Sequence, residues 1–552
     1  MPCSLLAADS EAAWYTIAQR DWNVLIPFFG YMVGVFVIAI VAHRYQKNAQ
    51  FESEYYVGGR SFGAWVLAMS WVATLASGGS FLGYPSLVYS YGWSMALWVS
   101  GSTVTALVGI GIVGKRINRL ARQTGALTLV DLLRDRYQSN AVGVAYACVI
   151  VFVTSVYLMA QFVAGGKILQ SMLETSYEMG LLLFALSVVA YTTYGGFRAV
   201  AWTDTMQGIV MIIGIVMLVP MALNAVGGLE QATAELSQRV DPAAEAKGVP
   251  QTKHAYLYGP GPEKIKKDLF NKPAADGSEN TPKPGSSPLS DPWLPFSIGI
   301  SMFMLRSLGS VMMPTTVPRM LAFKDTQALR RALLILGPYF LLMYGSSLIT
   351  MNCAHSLDLG LAPDQSDQAV PELAKRVAPP ILAGMLIAAP FAAVMSTVDS
   401  GLLVISATVV RDLVQKTWMP NISEKMTKRL SYLVTGGVGV FVLCLAWEEP
   451  PFLQPLVIYC VGGSVSSLFW PGIATLYWKR ATGAGVLAGL IGGAVMFVYC
   501  NRYRPFDDYI LLHPFVYAFT LSAFLVFVVS KASKPQSEDR LAIYFGRGKE
   551  EV

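Results

Sequence analysis

The sequence predicts an all-α integral membrane protein of about thirteen transmembrane helices. Three observations predict it. Of 552 residues, 54% are hydrophobic and only 14% charged, where a soluble domain carries about 25% charged residues. The apolar residues gather into runs of about 20, the length that crosses a ~30 Å hydrocarbon core. The runs are continuous rather than alternating, and they exceed the roughly ten-residue strand of a membrane β-barrel.

Taken in order, residues 1–21 lack a basic start, apolar run and small-residue cleavage site, so they are expected to be an external N-terminus rather than a cleaved signal peptide. The expected spans are 22–42, 63–88, 93–114, 141–169, 178–196, 203–226, 293–311, 332–354, 379–410, 428–447, 454–477, 482–501 and 509–530. Lysine and arginine in the short connections set the orientation. With the N-terminus outside, the cytoplasmic segments hold 26 of them, counting Lys428 and Arg429 at the edge of the tenth span, and the short external ones with the N-terminus hold 5. The connection at 227–292 is rich in Pro, Lys, Glu, Gly and Ser with nearly cancelling charge. It reads as a mobile external loop or a small lid. Residues 531–552 read as a short polar cytoplasmic tail, with no output domain of the kind a sensor kinase would need. The location expected is the plasma (inner) membrane.

Composition also excludes classes of function. The six cysteines form neither CxxC pairs nor a disulfide framework, and four histidines are too dispersed for a metal site. No P-loop is present to cradle ATP phosphates, and no His/Asp/Glu cluster has catalytic spacing, so neither a pump nor an enzyme is expected. The net charge of +6 follows from loop bias at a membrane and does not call for nucleic acid.

Irregular backbone inside a bilayer is tolerated only where protein or a water-filled cavity satisfies it. Two spans are interrupted. The second reads MSWVATLASGGSFLGYPSLV at 69–88, with Ser77, Gly78, Gly79 and Ser80 near its middle. The seventh reads SIGISMFMLRSLGSVMMP at 297–314, with Ser307, Gly309 and Ser310 before Pro314. Spans two to six and seven to eleven form two sets of five, about 63–226 and 293–477. An odd number of spans sets them in opposite orientations, and the interrupted helix comes first in each. Inverted-repeat transporters have this arrangement. Small residues that only permit close helix packing are the competing explanation.

The ninth span contains AAPFAAVMSTVDSGLLVISATVVRDL at 388–413. Ser396 and Thr397 are adjacent hydroxyls, suited either to a sodium ion or to hydrogen bonds back onto their own helix. Together with EYYVGGRSFGAWVLAMS at 54–70, TLVDLLRDRYQS at 128–139 and GGFRAVAWTDTMQGIVMIIG at 195–214, this segment resembles the sodium:solute symporter family, most closely its sodium/pantothenate symporters. The similarity runs from about residue 22 to 530. It implies a LeuT-like 5+5 inverted repeat with one extra N-terminal and two extra C-terminal helices. It also implies a sodium site made of the carbonyls of Ala73, Ala76 and Ala393 and the hydroxyls of Ser396 and Thr397. Asp204 matches an acidic position used for an additional sodium in some members. It also suits a helix N-cap. A second sodium held by Asp204, Asp399 and Ser400 is one reading of the two carboxylates, which need a cation between them.

Arg306 lies thirteen residues into the seventh span, where a charge is costly and is usually functional or paired. It could receive a substrate carboxylate, or it could pair internally or snorkel. The pantothenate symporters compared lack an arginine here, which favours some organic anion over pantothenate specifically. Ser77, Gly78, Gln161 and Gly309 are further candidates for the solute site; Trp71, Tyr84, Tyr157, Trp202 and Asn352 could line the cavity or sit in interfacial belts. The resulting expectation is a sodium-coupled symporter importing a small organic solute, pantothenate or another monocarboxylate, by alternating access. Its partners are sodium, the solute and the lipid bilayer, with no cofactor and no defined oligomeric state. A symporter for proline or a sugar, or a non-transporting sensor of the same fold, is the alternative.

Overall fold

The computed structural model describes residues 22–45, 51–238, 296–361, 363–450, 452–505 and 512–546. Residues 1–21, expected to be an external N-terminus, most of the 227–292 loop and the end of the tail lie outside them. In chain order the helices are α1 (Trp22–Tyr45), α2 (Phe51–Val57), α3 (Ala64–Leu75), α4 (Tyr84–Tyr91), α5 (Ala96–Thr103), α6 (Thr105–Gly109), α7 (Lys115–Thr124), α8 (Leu129–Tyr137), α9 (Asn140–Leu173), α10 (Tyr177–Ala225) and α11 (Leu229–Gln238). They continue as α12 (Phe296–Leu308), α13 (Val317–Ala322), α14 (Thr326–Ser356), α15 (Ala369–Val377), α16 (Pro380–Ala407), α17 (Glu424–Leu445), α18 (Gln454–Tyr477), α19 (Gly483–Tyr503), α20 (Pro514–Ala532) and α21 (Glu538–Phe545).

Helix occurs within each of the thirteen predicted segments, and among the described residues ten stretches are long and apolar enough to cross a membrane. The second and seventh segments are shorter, because their helices stop at Leu75 and Leu308 where the Gly/Ser interruptions stand. Predicted spans five and six share α10, which is broken at Gly196 (φ 62°, ψ −178°), a conformation that excludes a Cβ. Arg198 anchors this joint by donating from Nε and Nη2 to the two Glu54 carboxylate oxygens (2.7 and 3.0 Å). The protein is a multi-pass helical membrane protein.

Helix α16 is the central element, with every residue from Ile387 to Ala407 buried, packed against α10, α9, α1 and α3. Pro379 and Pro380 open it, and their fixed φ suits a first turn that needs no donor. The outer faces of α1, α14, α17 and α20 expose apolar residues such as Ile26, Leu334, Leu433 and Phe524, as lipid contact requires.

Two segments depart from expectation. The 227–292 loop begins with a helix, α11, whose Ala232 and Leu236 are buried one turn apart while Glu235 accepts from the Ser356 hydroxyl (3.0 Å). An i,i+4 apolar pair is too short a pattern to stand out in a polar stretch. The tail likewise forms α21, which docks on α7 and α8. Tyr544 Oη donates to Leu132 O (2.8 Å), and Arg116 donates to Tyr544 O (2.7 Å).

Candidate functional site: the helix break and the central helix

The site begins with what the break at 76–78 does to backbone hydrogen bonds. The Ser77 N–H turns to Leu75 O (3.0 Å), so Ala73 O loses its helical donor. The Gly78 N–H goes to Gln161 Oε1 on α9 (2.8 Å), which frees Thr74 O. The Ser80 N–H goes to Ser77 O (2.8 Å) instead of Ala76 O. Three carbonyl oxygens, those of Ala73, Thr74 and Ala76, are therefore released within about one turn. Gly78 is required here, since a Cβ would lie 2.5 Å from the Ala164 Cβ and 3.1 Å from Gln161 Oε1.

Helix α16 meets these carbonyls with its hydroxyls. Ser396 Oγ donates to Ala73 O (2.7 Å) and lies 3.0 Å from Ala393 O. Thr397 Oγ1 is 2.8 Å from Ala393 O and 3.2 Å from Thr74 O. Ala73, Ala393, Ser396 and Thr397 thus come together in a fully buried pocket of neutral oxygens. Ala76 sits at the exit of α3 with no hydrogen bond to α16. Thr74 O, which sequence reasoning missed, joins them. No sequence signal marks a carbonyl; only the course of the break does.

Asp204, Asp399 and Ser400 lie beside this pocket, but the cation at Asp204 and Ser400 is a guanidinium. Arg319 of α13 donates from Nη2 to Asp204 Oδ2 and Ser400 Oγ (both 2.7 Å), from Nε to Ser70 O and Oγ (3.0 and 2.9 Å), and from Nη1 to Thr315 O (2.9 Å). The ion pair is 1% and 0% exposed. The N-cap reading of Asp204 is corrected: it lies eight residues beyond the Gly196 joint, inside the helix, and its carboxylate accepts from Ser70 Oγ (2.6 Å) as well as from Arg319. Asp399 points elsewhere. Its oxygens accept from the Tyr191 hydroxyl and from Thr192 Oγ1 (2.5 Å) on α10. Arg319 escaped sequence reasoning because a basic residue after a span reads as loop charge.

On the other side of the break stand the solute candidates. Gln161 has its oxygen on Gly78, and its buried Nε2 has no partner among the described residues. Tyr157 faces Ser77, and Ser80 Oγ and Tyr344 Oη are 3.0 Å apart. Arg306 is half-buried near the end of α12. Its Nε donates to Ser102 Oγ (3.2 Å), its guanidinium stacks 5.1 Å from the Tyr84 ring centre, and the Tyr344 hydroxyl lies within reach. Among the described residues no carboxylate pairs with it. Gly309 follows the end of α12 and packs on Val461 rather than among these groups.

Both ends of the bundle are tied. At one, Lys167 pairs with buried Asp367 (2.9 Å), which also accepts from Leu453 N (2.9 Å), and Ser86 meets Ser366 (2.6 Å). At the other, Arg411 bonds Asp131 (2.8 Å) and Glu52. A narrow cleft of about 40 Å³ between Thr128, Phe197, Pro314, Val404 and Asp412 reaches Arg319 and Ser400 there.

A broken helix whose released carbonyls meet hydroxyls of a central helix, within a bundle of membrane-length helices, is the construction of secondary transporters. The solved structures agree on the fold. A Na+-coupled sialic acid symporter in its substrate-bound outward-open state superposes with a TM-score of 0.71 at 17% identity, covering 93% of this chain and 98% of that one. A nucleobase-cation-symport-1 family transporter gives 0.52 at 12% identity, covering 89% and 97%. The model of the sodium:solute symporter family matches residues 55–493. The sodium/pantothenate symporter of Escherichia coli (strain K12) is 34% identical over 93% of this chain and 98% of its own length. That of Haemophilus influenzae is 32% identical over 85% and 89%. A sodium/proline symporter of Haemophilus influenzae is 28% identical over 94% and 96%. The chain belongs to the sodium:solute symporter family and is a sodium-coupled symporter, not an enzyme.

Proposed function

We propose that this symporter imports pantothenate, or a closely similar monocarboxylate, across the inner membrane with its N-terminus outside and its C-terminus in the cytoplasm. The observation that carries the sodium half is the meeting of Ser396 and Thr397 with carbonyls that the break at 76–78 has released. Hard cations take oxygen ligands, and a sodium ion at Ala73, Ala76, Ala393, Ser396 and Thr397 would replace the hydroxyl-to-carbonyl bonds that now close the pocket. Bound sodium then holds α3 against α16 and favours the state that admits solute; both are released inward along the cleft beside Ser400. The anionic solute is supported by Arg306, a guanidinium beside the second break that has hydroxyl and ring neighbours but no acid among the described residues. The relatives named as sodium/pantothenate symporters support the particular acid and favour it over proline.

The test is uptake of radiolabelled pantothenate into proteoliposomes under an inward sodium gradient, with potassium replacing sodium as the control. Sodium-dependent accumulation that S396A/T397A abolishes is expected. No accumulation by protein that still binds sodium rejects pantothenate and leaves the symporter intact.

A further inference from the structure

At the end of the bundle proposed to be cytoplasmic, several basic side chains have partners. Arg411 bonds Asp131 and Glu52, Arg198 bonds Glu54, and Arg540 bonds Asp135. Arg134 and Arg136 donate to backbone carbonyls of neighbouring helices. One corner differs. Lys115, Arg119 and Arg122 of α7 are exposed, as are Lys324, Arg330 and Arg331 around the start of α14. Among the described residues none of the six has an ion-pair partner. The one acid in residues 111–126 and 313–335 is Asp325, which caps α14 by accepting from Ala328 N (2.6 Å).

The packing sets the two basic groups side by side. The spacing i, i+4, i+7 puts residues 115, 119 and 122 on one face of α7, opposite the buried Ile117, Leu120 and Ala121. Asn118 Nδ2 donates to Met320 O (2.9 Å) and Phe323 O (3.1 Å), and Arg122 Nη2 donates to Phe323 O (2.6 Å). Helix α7 is thereby bound to the end of α13. Where α14 begins, Leu329 sits 3.2 Å from the place a Cβ on Gly114 would take. Towards the membrane centre, α6 meets α14 where Leu107 faces Gly337, and Leu107, Ile112, Leu334 and Leu341 are exposed there. An apolar seam on the lipid-facing surface thus runs into a corner of six cations.

Like charges at close range repel, and a phosphate between them removes the repulsion while its oxygens accept from guanidinium and ammonium donors. Only a phosphodiester that carries acyl chains also covers the seam. We propose that this corner binds the headgroup of an anionic phospholipid, with its acyl chains along α6 and α14. The phosphate draws α7 and the start of α14 together. Because Asn118 and Arg122 tie α7 to α13, the lipid also steadies the helix whose Arg319 borders the cleft beside Ser400.

Lipid binding to the full-length protein is the first test. Protein in mixed micelles is titrated with phosphatidylglycerol or phosphatidylcholine, and bound lipid is counted by native mass spectrometry. The first phosphatidylglycerol is expected to bind on the order of tenfold more tightly, since each basic residue near a membrane surface contributes severalfold. K115Q/R119Q/R330Q/R331Q changes only exposed side chains and is expected to reduce that preference to within about twofold. Equal binding of the two lipids by the wild-type protein, or an unchanged preference in the variant, overturns the site. Displacement of the lipid by millimolar glycerol 3-phosphate, which lacks acyl chains, would assign the corner to a soluble phosphate. A variant that changes oligomeric state while keeping its lipid would assign it to a second copy of the chain.

The link to α13 has its own readout. Val404→Cys lies on the wall of the cleft, and its reaction with a neutral, water-soluble maleimide is measured above that of the parent chain. The rate is expected to be at least about threefold lower in nanodiscs containing phosphatidylglycerol than in phosphatidylcholine alone, as a lipid that favours the closed cleft requires. The same cysteine in the four-glutamine variant is expected to show no lipid dependence. Equal rates in the two lipids for Val404→Cys alone overturn the link. Neither measurement involves sodium or solute, so each stands whatever the uptake assay returns.

Discussion

Arg319→Met removes the most heavily bonded cation in the membrane interior, and the consequences follow from its contacts. The guanidinium supplies donors to Asp204, Ser400, Ser70 and Thr315, and so ties α13 to α10, α16 and α3. Methionine fills similar volume but leaves Asp204, 0% exposed, with a single hydroxyl donor. Breaking a buried pair from one side costs about 3–5 kcal/mol, chiefly from the stranded charge. Arg319→Met/Asp204→Asn strands no charge, so it is expected to recover at least about 2 kcal/mol of that loss. Unfolding of the purified protein in mixed micelles, run as a double-mutant cycle with both single variants, measures the coupling. Additive effects of the two single changes, or wild-type stability in Arg319→Met, would show that the pair does not lock the three helices. Such a result would also remove the reason for assigning Asp204 its charge balance.

Three further outcomes are expected. Gly78→Ala drives a Cβ against Ala164 and Gln161, so its overpacking costs about 1–3 kcal/mol and lowers sodium affinity along with uptake, since the same break frees Ala73 O and Thr74 O; titrating uptake against sodium checks this. Gln161→Leu leaves the Gly78 N–H without its acceptor at about 1–3 kcal/mol, and is expected to weaken both sodium and solute binding, whereas a change in solute affinity alone would confine Gln161 to the solute. Lys167→Met strands Asp367 and loosens the 363–368 turn that meets Ser86; a cysteine placed at Ser366 should then react faster with an impermeant maleimide added outside.

The helices were legible because lipid demands apolar runs of a fixed length, and the breaks because Ser77–Ser80 and Ser307–Ser310 cannot be explained as lipid contact. Ser396 and Thr397 were legible as a pair, and the structure sets Ser396 against Ala73 O and Thr397 against Thr74 O. What the sequence did not disclose depends on pairs distant along the chain. Gln161 meets Gly78 across 83 residues, and Arg319 meets Asp204 across 115. No local pattern announces either. The same holds for Tyr191 and Thr192, ordinary residues of a helix until Asp399, about 207 positions later, turns towards them. Asp204 shows the error in its simplest form. A carboxylate near a predicted helix start suggests capping, but the start is set by Gly196, eight residues earlier.

The docking of α21 bears on how the chain is made. Its eight residues follow the surface they rest on by more than 400 positions along the chain: Tyr544 and Phe545 meet Arg116, Leu132 and Arg136. Until α21 has been made, those arginines have no carbonyl or aromatic face from it to meet, so a nascent carrier without α21 differs from one that has it at this surface. A reporter fused directly after Phe545 would press on the same contact, and a spacer ahead of it is the design the geometry recommends.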